Sequence, residues 1–388
     1  MGVWAAVLTG PGVGAIATIG LFGQAVPSIL EAVFQPSSSG GGDFEVGRIA
    51  LGYLVDGTET IDQVTVAREA LHEFAIHCHG NPLIVEAIME LLQRHGVELL
   101  PAPQWHARVL AAEESNTSLA IESRLALTTV KTVAGAKIVA VQTEGGLGRL
   151  CRQWRAESVS LDSIKEQVAE ILRDSDTARL IIEGCTVVLI GPPNTGKSTL
   201  LNTLAGREKA IVTDIEGTTR DWISAEIHIR PLAATVIDTA GLAADLADGI
   251  DKAAQARSME MLQRADLVLL VLDSSCPDHR IEPGLLDRLT GKRTLVVLNK
   301  TDLPERLDTT LLPPGLPDPI RISAQQTTGI DALIGAICQK LGVADFDPHT
   351  PVAFTGRQRT LLERLATAKS ARQAPAMIDE MLHGPIQC

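Results

Sequence analysis

Aromatic residues are scarce in this chain. Phe, Trp and Tyr make up 3% of its 388 residues, and tyrosine occurs once. Alanine, leucine and valine must therefore fill its cores, since 45% of the chain is hydrophobic. A surplus of positive charge is missing too: 34 Lys and Arg stand against 47 Asp and Glu, a formal net charge of −13. So acidic a chain is not a general nucleic-acid binder, and any RNA contact needs a local basic patch. The six cysteines, at 78, 151, 185, 276, 338 and 388, include no Cys-x-x-Cys pair. Zinc ribbons and dithiol redox motifs are thereby excluded, and idle thiols in a reducing cytoplasm are expected. The first thirty residues lack any charged side chain. They also lack a basic leader, and Pro11, Pro27 and six glycines interrupt them, so neither a signal peptide nor a membrane span is expected. Ala6 stands where N-myristoylation needs Ser or Thr.

What is present reads as α/β throughout. Residues 1–105 suggest a small mixed domain, with strands at Ala5–Thr9, Ala15–Ile19, Arg48–Val55, Ile61–Val66 and Glu73–Cys78. Asp56-Gly57 marks a hairpin turn, and Ser37–Gly42 a flexible loop. A helix follows: Asn81 caps it, Pro82 fits its first turn, Gly96 ends it, and Ile84, Val85, Ile88, Leu91 and Leu92 form its apolar face. His77 and His79 flank Cys78, but strand alternation sends Cys78 to the opposite face, so no metal centre is expected there. Residues 106–182 read as the first part of a helical domain, clearest at Leu161–Leu172. Over 183–345, strands at Val187–Ile190, Thr235–Ile237, Leu267–Leu272, Thr294–Leu298 and Pro319–Ile322 alternate with helices, a parallel-sheet pattern. Residues 346–388 complete the helical domain with one helix around Gln358–Ala371. Its Arg357, Arg359, Arg364, Lys369 and Arg372 either meet tRNA or a partner, or form an ordinary solvated face.

The chemistry concentrates in the parallel-sheet domain. Gly191-Pro-Pro-Asn194-Thr195-Gly196-Lys197-Ser198 follows the apolar run Thr186–Ile190 and opens a helical pattern at Ser198-Thr199. Strand, glycine-rich loop and helix form the context of a phosphate-binding loop. Loop N–H groups and the helix start hold an anion, Lys197 reaches the β- and γ-phosphates, and Ser198 holds Mg²⁺. Asp238-Thr239-Ala240-Gly241 ends another strand, where a carboxylate can take an Mg²⁺ water and the Gly241 N–H can sense a γ-phosphate. Asn299-Lys300-Thr301-Asp302 ends a third strand. Asp302 can accept two hydrogen bonds from the guanine edge, which adenine does not offer. Ser323-Ala324 ends the last strand and can support the base through a backbone N–H. All four motifs sit at strand carboxyl ends, where open α/β sheets bind ligands.

These motifs resemble the translation-factor-related GTPases, and most closely the MnmE (TrmE) family of tRNA-modification GTPases. Thr213-Asp214-Ile215-Glu216-Gly217-Thr218-Thr219-Arg220-Asp221 carries that family's switch, and Asp238-Thr-Ala-Gly-Leu242 matches as well. Gly52–Gly57, Ile61-Asp62 and Cys78-His79-Gly80 resemble its N-terminal domain. The resemblance implies a P-loop GTPase domain inserted in a helical domain, behind a small α/β N-terminal domain. It also implies Mg²⁺ on Ser198 and Thr219, and K⁺ on Asn194, Thr213, the Ile215 carbonyl and Thr218. With Leu242 in place of a water-orienting glutamine, the resemblance gives that catalytic role to Asp251. It implies a homodimer through the N-terminal domain, with the flavoprotein MnmG and tRNA as partners.

The chain departs from the family at its folate site. Formyl-folate is bound by members of the family, but Thr18 and Ala75 stand where they carry arginine and glutamate. The family's terminal Cys-Ile-Gly-Lys is represented at most by Cys388. The implied function is GTP hydrolysis in wobble-uridine modification. The alternatives are a regulatory switch in ribosome assembly and a slow-hydrolysing scaffold.

Overall fold

Strands rich in branched residues and alternating in burial build the N-terminal part. The computed structural model describes residues 2–10, 12–38, 44–112, 117–156, 159–207, 223–238, 261–278, 281 and 283–386. They fall into two compact units, residues 1–125 with 383–388, and residues 126–382.

The first unit holds β1 (Trp4–Val7), β2 (Ile16–Phe22), β3 (Phe34–Pro36), β4 (Ile49–Asp56), β5 (Glu59–Arg68), β6 (Glu73–His79) and β7 (Glu98–Leu99). They form one sheet in the order β3-β4-β5-β6-β2-β1-β7, antiparallel except where β1 meets β7. Along β5, Asp62, Val64 and Val66 are buried while Gln63 is exposed, so one face turns inward. Helices Val26–Val33 and Pro82–Arg94 pack Leu30, Ile88 and Leu91 on that face against Ile19, Leu21 and Ile76. The second helix starts as its sequence requires: the Asn81 side chain accepts the Leu83 N–H at 3.0 Å, and Pro82 follows. On the other face, helix Ala102–Ala112 sets Trp105 against Ala6. A Cβ at Gly20 would run into the Trp105 ring, so only glycine admits the indole there.

The second unit begins with helices Val133–Gln142, Leu147–Ala156 and Leu161–Ile182. Its sheet comprises β8 (Cys185–Ile190), β9 (Ile223–Ile229), β10 (Leu232–Asp238), β11 (Leu267–Asp273), β12 (Thr294–Asn299) and β13 (Ile320–Arg321), in the order β13-β12-β11-β8-β10-β9. All neighbours are parallel except β9 and β10. β11 and β12 are unbroken apolar runs because both faces are covered. Helices Lys197–Arg207 and Ile330–Leu341 cover one face through Leu200, Leu204, Leu333 and Ile337. Leu262 and Leu289 lie on the other.

The helices before the sheet are stitched to the chain after it. Buried Gln142 accepts the N–H groups of Leu147 (2.9 Å) and Val352 (3.0 Å) and donates to the Thr350 carbonyl (3.0 Å). Ser175 Oγ accepts the Ala353 N–H at 2.8 Å. The nucleotide domain is thus an insertion within a helical scaffold.

Two expectations need correction. The tail holds two helices, Gly356–Ala366 and Ala374–His383, in place of one around 358–371. The first ends on Thr367, so Lys369 and Arg372 stand beyond it and no single basic helix exists. Its arginines are also engaged: Arg357 donates to the carbonyls of Glu380 and Met381, Arg359 pairs with Asp176 and Glu363, and Arg364 pairs with Glu380. Strand β9 escaped the sequence reading, because its short alternating run Ile223–Ile229 at the sheet edge lacks the apolar density of the central strands.

Candidate nucleotide-binding site

The phosphate loop leaves the carboxyl end of β8, which lies between β10 and β11. β9 and β10 lie on one side of β8 and β11 to β13 on the other, the reversal of strand order at which open α/β sheets bind ligands. Gly191 has a φ of 141° and lies where a Cβ would strike the Val271 carbonyl. Gly196, at φ 89°, packs in the same way on the Asn299 amide. Asn194 between them also takes a left-handed φ of 64°. Residues of this kind build the concave run of N–H groups that cradles a phosphate.

Lys197 is buried, and its Nζ donates to the carbonyls of Gly191 (3.0 Å) and Pro192 (2.8 Å). Burial pushes its pKa below that of an ordinary lysine, against the pull of Asp238. The ammonium therefore has much to gain from an arriving anion. Thr195 is buried and donates to the Pro192 carbonyl at 3.1 Å, while Thr199 stands exposed on the helix's first turn.

Ser198 Oγ donates to Asp238 Oδ2. Asp238 is 2% exposed, and among the described residues its Oδ1 has no hydrogen-bond partner. An orphaned buried carboxylate oxygen is costly. A hydrated cation beside Ser198 removes that cost, so the hydroxyl and the carboxylate fit Mg²⁺ bound mainly by phosphates and water. No cluster of three or more His, Cys, Asp or Glu capable of holding a metal occurs among the described residues.

Asn299 joins the two ends of the site. Its Nδ2 donates to the Thr195 carbonyl of the phosphate loop at 2.9 Å, and its Oδ1 accepts the Ala324 N–H at 2.9 Å. Of the two backbone N–H groups of Ser323-Ala324, that of Ala324 is thus engaged by Asn299 and that of Ser323 by the Thr328 carbonyl at 3.0 Å. Asp302 Oδ1 accepts the Ser323 hydroxyl at 2.6 Å, and Ser323 Oγ also accepts the Gln326 N–H at 3.1 Å. The Thr301 N–H donates to the Ile322 carbonyl at 3.1 Å. Lys300, at φ 65°, sends Nζ to Asp273 Oδ2 at 2.6 Å. Burial opposes the charged Asp273 carboxyl, but hydrogen bonds from Lys300 and Ser275 outweigh it and hold its pKa below the ordinary carboxylate range.

The structure therefore gathers Gly191, Asn194, Thr195, Gly196, Lys197, Ser198 and Asp238 at one end, and Asn299, Lys300, Thr301, Asp302, Ser323 and Ala324 at the other. Thr213, Asp214, Ile215, Glu216, Gly217, Thr218, Thr219, Thr239, Ala240, Gly241, Asp251 and Cys388 lie outside the described residues. Sequence reasoning missed Asp273 and Thr203. Asp273 had a signal, as it ends an apolar strand like the other site residues. Thr203, which donates to the Ala324 carbonyl at 2.8 Å, had none.

In the N-terminal unit, Thr18 Oγ1 lies 3.0 Å from His77 Nδ1, and Ala75 is buried opposite Gly20. Neither presents a charge. His79 Nδ1 pairs with Asp62 at 2.7 Å, while Cys78 is buried and bonds the Ala17 carbonyl. No helix among the described residues is long and apolar enough to cross a membrane.

Comparison with known proteins follows the same lines. The family described as 50S ribosome-binding GTPase matches residues 186–300. The tRNA modification GTPase MnmE of Thermotoga petrophila is 30% identical over 399 residues, covering 93% of this chain and 87% of the relative. That of Geobacter sulfurreducens is 32% identical over 403 residues, covering 93% and 86%. The solved G domain of the T. maritima FeoB iron transporter is 25% identical with a TM-score of 0.31, covering 40% of this chain and 98% of that domain.

Proposed function

The chain belongs to the MnmE family of tRNA modification GTPases, and on that premise we propose that its GTP hydrolysis drives modification of the wobble uridine of tRNA, in complex with a flavoprotein of the MnmG type. It binds and hydrolyses GTP and serves tRNA modification. The observation that carries the nucleotide half is Asn299, whose one amide touches both the phosphate loop and the base loop. A nucleoside triphosphate has a phosphate chain for the one loop and a base for the other.

Magnesium, when bound, would offset negative charge that builds on the phosphates. Ser198 and Thr219 would hold it, and Asp238 would orient one of its waters. Lys197 exchanges the Gly191 and Pro192 carbonyls for phosphate oxygens. Asp251 positions the water that attacks the γ-phosphate in line. Asn194, Thr213, the Ile215 carbonyl and Thr218 would hold K⁺, which would supply positive charge where other GTPases bring an arginine.

A homodimer through the N-terminal unit is supported by β4, which presents Ile49, Leu51 and Tyr53 to solvent at 69, 50 and 40% exposure. Alternate residues of one strand share a face, and contiguous apolar surface marks an interaction site. With Thr18 and Ala75 uncharged, formyl-folate would lose two charged contacts. The cytoplasm is the compartment this role needs.

The test is rescue of a strain lacking MnmE, scored by the modified wobble uridine in its tRNA. Restored modification is expected, and its absence despite normal GTP turnover refutes the modification role. The match over residues 186–300 favours a second reading, a switch in ribosome assembly. Co-sedimentation with ribosomes and no binding to an MnmG-type flavoprotein would select it.

A further inference from the structure

Ala324 is clamped on both sides of its backbone. Its N–H donates to Asn299 Oδ1 at 2.9 Å, and its carbonyl accepts the Thr203 hydroxyl at 2.8 Å. Both clamps lead back to the phosphate end: Asn299 holds the Thr195 carbonyl, and Thr203 lies on helix Lys197–Arg207, which the phosphate loop opens. Thr203 Oγ1 also lies 2.9 Å from the Thr199 carbonyl, four residues back on its own helix. That local bond is the ordinary choice for a helical threonine. A hydroxyl carries a single proton, so the reach to Ala324 shares a donor that the helix alone would satisfy. The same base loop carries Ser323, whose hydroxyl orients Asp302 at 2.6 Å.

We propose that Thr203 is a positioning residue for base recognition: it bolts the base loop to the phosphate-loop helix, and so sets Asp302 against the guanine edge. The inference rests on the nucleotide-site reading above. Thr203 touches no nucleotide atom itself and acts through Ala324 and Ser323.

Dissociation of a fluorescent GDP from the full chain, with displacement by GDP and by IDP, tests this. IDP lacks the amino group that Asp302 would accept, so the ratio of the two affinities reports that contact. Loss of one neutral hydrogen bond, about 1 kcal/mol, corresponds to roughly five-fold faster GDP release in Thr203→Val and Thr203→Ala. The GDP-to-IDP ratio narrows in both, and Thr203→Ser restores release rate and ratio. Alanine favours helix more than threonine does, so a folding defect cannot account for agreement between the two variants. Release within two-fold of wild type in both, or an unchanged ratio, overturns the proposal. Failure of the wild-type chain to bind the fluorescent GDP instead overturns the nucleotide-site reading beneath it.

Discussion

Asp302 keeps one carboxylate oxygen on the Ser323 hydroxyl at 2.6 Å, which fixes its direction before any base arrives. On the proposed reading guanine would offer it two N–H groups, and hydrogen bonds to a charged group are the strong ones. Asp302→Ala should weaken GDP binding by about 3 kcal/mol, roughly a hundred-fold, without weakening ADP binding. Titration calorimetry with both nucleotides measures this; a GDP affinity close to wild type would remove Asp302 from the base site. Its neighbour Asp273 supplies a pH test. Its carboxyl is held below the ordinary range by Lys300 and Ser275 despite burial. The stability it contributes is complete above the unfolded-state pKa and fades as pH falls through the lower folded value. In Asp273→Asn the acid-side loss of stability should be smaller, visible as flatter urea midpoints between about pH 5 and about pH 3. Asp302 was legible in the sequence because its motif is short and local. The Asp273–Lys300 pair was not, because 27 positions of chain separate the partners.

Among elements, the phosphate loop and its helix give contrasting glycines. Gly196 has a left-handed φ of 89° and no room for a Cβ beside Asn299. Gly206, in the same helix, has nothing within 4 Å of an added Cβ among the described residues. Gly196→Ala should therefore cost about 1–3 kcal/mol and abolish nucleotide binding, whereas Gly206→Ala should stabilise by up to about 1 kcal/mol. Chemical denaturation with mant-GDP binding measures both, and equal effects would contradict the packing described. The left-handed Asn194 offers a test of the ion: GTP turnover in K⁺ should exceed that in Na⁺, and Asn194→Ala should erase the difference. Equal wild-type rates in the two salts would end the potassium assignment. The central strands were readable because burial on both faces writes an unbroken apolar run. The break in the tail at Thr367 was not read, although Pro375 in the first turn of the second helix was a signal for it.

Across the whole molecule, burial rather than pairing governs the thiols. Desolvation raises Cys78 to about 11 and Cys151 and Cys185 to about 12, and it raises Cys338 as well. Only a thiolate attacks an alkylating reagent. Brief iodoacetamide treatment of the native chain should therefore label Cys276, the half-buried thiol among the described five, and spare the rest until denaturant is added. Peptide mass spectrometry reads the outcome, and early labelling of Cys151 would show that its packing is looser than described.

Sequence by itself determined the GTPase character, because the phosphate loop, the Asp238 run and the Asn299–Asp302 run are short and tied to strand ends. It also determined the acidic, aromatic-poor character that rules out general nucleic-acid binding. Only the tertiary structure decided how those runs meet. Asn299 spans from Thr195 to Ala324, Gln142 ties the helices before the sheet to the chain after it, and Arg357, Arg359 and Arg364 are engaged within the fold. Each is a contact between residues far apart in the chain, and local patterning carries no record of partners that only folding brings within hydrogen-bond reach.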